Sequence, residues 1–116
     1  MTGPTGPTGA NALALVPGAD LTNADATIAV AGGSSYTLPA ATLSANRTIT
    51  ISTTGLGTGE VMQIIRRDLT ANTLAIVNGG AGAGTMYTFP GDGVTRAALF
   101  IFDGTNVSFA ESGRVV

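Results

Sequence analysis

The sequence predicts an all-β fold: a jelly-roll-like antiparallel β-sandwich of about eight short strands behind an extended N-terminal arm. Three observations carry this. Runs rich in β-branched and aromatic residues recur about every 8–12 residues, each closed by Gly, Pro, Asn or Asp. Some runs alternate between polar and apolar residues, as "RTITIS" does. No window of helical length keeps a 3.6-residue apolar period.

The chain opens "MTGPTGPTGAN", with Gly3, Gly6 and Gly9 at the collagen spacing and a proline after two of them. So few Gly-X-Y triplets cannot hold a triple helix unaided. Proline pre-sets φ, so an extended polyproline-II arm is expected, running with its flanking residues over 1–25. "ANALALV" (10–16) also reads as a short helix ended by Pro17-Gly18.

The body, 26–116, holds the strands. "ATIAV" (26–30) ends at Gly32-Gly33, and "SYTL" (35–38) stops at Pro39. In "RTITIS" (47–52), Ile49 and Ile51 share one face and Thr48 and Thr50 the other. "VMQIIRR" (61–67) follows a Gly-rich reversal, and "TLAIVN" (73–78) leads into "GGAGAG". "MYTF" (86–89) stops at Pro90. "RAALFIF" (96–102) is apolar on both faces, which marks a central strand. Asp103-Gly104 signals a hairpin into "NVSFAES" (106–112), with Val107 and Phe109 facing inward.

Composition narrows the function. One domain fits in 116 residues, and 44% hydrophobic residues suffice for a core. Only 10% of residues are charged and none is Lys, whereas a soluble domain averages about 25% charged. A surface of Thr, Ser, Asn, Gly and Ala does little to keep copies apart, which points to life inside an assembly. A net charge of −2 without a basic stripe argues against nucleic acid as a partner. There is no cysteine, so disulfides and thiolate metal sites are excluded. No cationic segment followed by an apolar one opens the chain, so synthesis in the cytoplasm without export is expected. "AALFIF" falls far short of the ~20 residues of a membrane-spanning helix, so no membrane partner is expected.

Candidate chemistry is sparse. Without His, Cys or Lys the usual bases and nucleophiles are missing. Of the seven carboxylates, Asp92 and Asp103 sit in turns and Asp68 follows a strand, positions where Asp caps the local backbone. No catalytic residue, cofactor or metal ligand is therefore expected, and "GDG" and "DGTN" do not make a calcium loop. "NGGAGAGT" (78–85) lacks the Lys-Ser/Thr of a phosphate loop and reads as a flexible connection. Arg66 and Arg67 are candidate interface charges. Neighbours on a strand face opposite ways, so one should point outward, in an intersubunit or intrastrand ion pair.

The order of "SYTLPAATLSANRTITISTTG", "GEVMQIIRRD", "TLAIVNGGAG", "MYTFPGDG" and "AALFIFDGTNVSF" resembles small β-domains of tailed-bacteriophage structural proteins, over roughly residues 34–112. Such domains occur in head decoration (cement) proteins and at tail-fibre tips. The resemblance to decoration proteins implies a homotrimer on the outer surface of the virion capsid, bridging neighbouring subunits of the major capsid protein. On that reading the arm would dock on the shell through Thr2, Pro4, Thr5, Pro7, Thr8, Leu13, Leu15 and Val16, or the three tails would meet on the trimer axis in a brief collagen-like turn. The resemblance to fibre tips implies instead a host-binding module, with Tyr36, Tyr87 and Asp92 as candidate contacts.

Overall fold

The computed structural model describes residues 15–40 and 42–115. They hold nine strands and no helix: β1 (Val16–Pro17), β2 (Ala26–Ala29), β3 (Ser34–Leu38), β4 (Arg47–Ser52), β5 (Val61–Arg66), β6 (Leu74–Asn78), β7 (Gly84–Phe89), β8 (Arg96–Phe102) and β9 (Val107–Arg114). Eight were legible as strands in the sequence. β1, too short to show a period, was not.

The strands form two sheets, one ordered β9-β8-β5-β3-β1 and the other β2-β4-β6-β7. The antiparallel expectation is corrected here: the sheets are mixed. Through β6 the chain alternates between them, and each strand from β3 to β6 pairs in parallel with the strand two before it. This is the connectivity of a short β-solenoid with two strands per coil. Ser34 opposes Met62, Arg47 opposes Leu74, and each coil stacks on the last. The final three strands change the rule. β7 runs antiparallel to β6, and β8 runs antiparallel to both β5 and β9. β8 thus lies centrally, as its two apolar faces require.

A repeat underlies the coils. "LTNADATI", "LSANRTITI" and "LTANTLAI" each lead into a strand of the second sheet. Their asparagines staple one coil to the next. Asn23 Oδ1 accepts from the Ser44 amide (3.2 Å) and Arg47 Nε (2.9 Å), and Asn46 Oδ1 accepts from the Thr73 amide (2.9 Å). Asn72 Nδ2 donates back to the Leu43 carbonyl (3.1 Å). Three of these four bonds satisfy a backbone group of a turn, at Ser44, Thr73 and Leu43.

Alternation puts Tyr36, Leu38, Met62, Ile64, Ala98 and Phe100 inward from the first sheet, and Ile49, Ile51, Leu74, Ile76 and Phe89 from the second. They form one core between the sheets, and Leu21 and Leu43 of the repeat join it from the turns. Within the span expected as an arm, residues 15–25 thus contribute a paired strand and a core leucine. Val16 opposes Ser34, and Leu15 is half-buried. Thr2, Pro4, Thr5, Pro7, Thr8 and Leu13 lie outside the described residues.

Candidate interaction surfaces

Five of the seven carboxylates accept hydrogen bonds from backbone amides. Asp103 Oδ1 accepts from the Thr105 and Asn106 amides (2.9 and 2.8 Å), closing the β8–β9 turn, and these bonds hold its pKa below the usual 3.8. Asp92 accepts from the Val94 amide and pairs with Arg96 (2.6 Å). The Arg96 guanidinium is the main reason that the Asp92 carboxyl is lowered. Asp25 accepts from the Thr48 amide, and Glu60 from the Gly57 amide. Among the described residues, no three His, Cys, Asp or Glu side chains come together as a metal site.

The two arginines part as adjacent strand residues must. Arg67 is exposed, while Arg66 is 1% exposed and points into the end of the core. The polar Gln63 marks the outward face of β5, so Met62, Ile64 and Arg66 turn inward together. The Arg66 guanidinium donates to Asp68 Oδ2 (2.9 Å) and to the carbonyls of Asp68, Thr70, Asn72, Phe89 and Pro90. Its five N–H groups are thus spent inside the molecule. Burial pushes the Asp68 carboxyl up, but bonds from Thr70, Arg66 and the Leu43 and Thr42 amides outweigh it and leave the pKa lowered. The ion pair is thus neither intersubunit nor intrastrand: it ties the last residue of β5 to the 67–73 loop that follows it. Arg67 and the exposed Leu69 are what the loop presents to solvent.

The two outer faces differ. The second sheet turns Thr27, Thr48, Thr50, Ser52 and Thr88 outward, with Ala75 and Val77 among them. On the first sheet the outward residues are Ser35 and Thr37 from β3, Val61, Gln63 and Ile65 from β5, and Ala97, Leu99 and Ile101 from β8. Five of these eight, all on the inner strands, are apolar and none is charged, while the edge strand β9 sets Glu111 beside Leu99 on the same face. Register brings Val61 beside Ile101, Gln63 beside Leu99 and Ile65 beside Ala97. Gln63 is tied down by Ser35 Oγ, which donates to its Oε1 (3.1 Å). Shallow grooves of about 370 and 380 Å³ flank Gln63, one reaching Leu15 and Pro17 and the other Glu111 and Arg114.

In the Gly-rich stretch after β6, Gly79 and Gly80 lie close against neighbouring backbone, while residues 81–85 are exposed. A Cβ at Gly80 would strike the Thr105 carbonyl, and one at Gly79 the Ile51 carbonyl. Its amides are used internally: Gly80 N–H donates to Asn78 Oδ1 (2.9 Å) and Gly82 N–H to Asn106 Oδ1 (2.7 Å). Asn78 is buried in β6, and its Nδ2 also donates to Asn106 Oδ1 (2.8 Å). Of the aromatic candidates, Tyr36 faces the core, where its hydroxyl accepts from the Ala31 amide. Tyr87 is half-buried, and Asp92 is on the surface.

Neither the known protein families, the curated proteins nor the solved structures provide a match to this chain.

Proposed function

We propose that the protein is a structural virion component, a trimeric decoration protein on the outside of a tailed-phage head that bridges neighbouring major capsid protein subunits. The observation that carries this reading is the outer face of the β9-β8-β5-β3-β1 sheet, apolar across two central strands and free of charge on them. Contiguous apolar surface of this kind marks protein contact. The Thr-rich opposite face suits exposure to solvent, so the molecule has a side for the shell and a side for water.

A bridging role asks little of each contact. Several modest interfaces engaged at once hold through high effective concentration. The phage resemblance supplies the setting.

The test is a particle comparison. Phage lacking the protein should release DNA at lower temperature than complete phage, yet adsorb to cells normally. The purified protein should rebind stripped heads at hundreds of copies. Unchanged heat stability together with failed adsorption would replace this reading with the host-binding tip.

A further inference from the structure

At the C-terminal end of the stack, β7 and β9 approach each other as the last strands of their sheets, leaving a groove of about 340 Å³ between them. Its lining includes Gly82, Thr85, Met86, Asn106, Ser108 and Phe109, and carries no charge. That size is at the low end for small-molecule sites.

Two features show a built site. The first is a fixed donor. Asn106 Oδ1 accepts from both Asn78 Nδ2 and Gly82 N–H, which sets the orientation of the amide. Its Nδ2 then faces the other way, and among the described residues it has no acceptor. The second is an aromatic platform. Phe109 is 37% exposed although two rings position it: Tyr87 stacks on it (4.7 Å, 11°), and Phe100 meets it edge-on at 6.0 Å, itself buried in the core. Both strands are bulged at the groove, β7 at Met86 and β9 at Ala110, just past Phe109. Bulges re-aim side chains at sites of this kind.

We propose that this groove binds a neutral saccharide. A sugar ring presents C–H bonds on one face and oxygens around its rim. The free part of the Phe109 ring meets the first, and Asn106 Nδ2 with the Thr85 and Ser108 hydroxyls meets the second. A phosphorylated or sulfated ligand would find no cation in the lining. The inference concerns the purified protein alone and stands apart from attachment to a shell.

The test is a titration of isotope-labelled protein with maltotriose, chitotriose and lactose at millimolar concentration, read by NMR at the Asn106 side-chain amide and the Phe109 ring. At least one sugar should shift both signals saturably, with a dissociation constant of about 1 mM or tighter. Phe109→Leu, which keeps an apolar side chain without the ring, should weaken binding about 3- to 10-fold. Ser108→Ala, on an exposed position, should weaken it less. Absence of a saturable shift with all three sugars overturns the proposal. So does binding that Phe109→Leu leaves unchanged, or binding that shifts signals elsewhere and not these two.

Discussion

Arg66 is the residue on which the turn end of the core depends. Its guanidinium gathers the strand end, the 67–73 loop and the Phe89–Pro90 carbonyls onto one cation. Removing one partner of a buried pair leaves the other charged and unsatisfied. Arg66→Ala should therefore lower the unfolding free energy by about 3–5 kcal/mol in a urea titration. Arg66→Lys should recover little, because an ammonium cannot span the same set of acceptors. Arg67→Ala should stay within about 0.5 kcal/mol of the parent. Acid should act through Asp68, Asp92 and Asp103. Each has a folded pKa below 3.8, so the stability it contributes is complete above that value and is lost as pH falls through the folded value. Thermal melts should be flat from neutrality to about pH 4 and fall steeply below it. At this scale the sequence separated Arg66 from Arg67 but did not say which turned inward. Gln63 held that information, since it marks the outward parity of β5.

At the scale of elements, the middle strands are held on both sides and the first ones are not. β4 and β5 each lie between two neighbours, whereas β2 is an edge of four residues and β1 of two. Amide exchange should be slowest in β4, β5, β6 and β8 and fastest in β1 and β2. The glycines after β6 are part of the same packing. Gly80→Ala should destabilise the β6–β7 connection by more than the few tenths of a kcal/mol of an exposed turn substitution, measured by thermal melting. The strands were legible because period-2 runs ending at Pro, Gly and Asn are a local signal. Their pairing was not, because parallel and antiparallel strands can read alike. The cue lay in "LTNADATI", "LSANRTITI" and "LTANTLAI", whose coil lengths differ enough to blur the period. Asn106 was passed over for a related reason: nothing local marks an asparagine whose amide is oriented by a residue 28 positions away.

Across the whole molecule the contrast between faces becomes a mutational prediction. Leu99→Asp or Ile65→Asp places a charge on the outer face of the first sheet without opening the core. Binding to stripped heads should be lost, while the melting temperature falls by no more than a few degrees. Thr50→Asp on the opposite face should leave head binding intact. Equal loss from both faces would remove the assignment of sides. The asymmetry itself was hidden in the sequence, since Val61, Ile65 and Leu99 look like core residues until register places them outward.

The order of strands also dictates when the chain can fold. Parallel partners such as Val16 and Ser34, Ala26 and Ile49, or Ser34 and Met62 lie about 18 to 28 residues apart, and closing such loops is slow. The quick closures are the antiparallel hairpins β6–β7 and β8–β9, which follow the coils along the chain. β5 also waits for β8, which pairs along its whole length. A nascent chain stalled before Arg96 therefore carries complete coils with an unpaired β5 edge, ready to pair with the same edge of a neighbour on the same messenger. Prompt pairing of β8 with β5 protects the molecule by covering that edge.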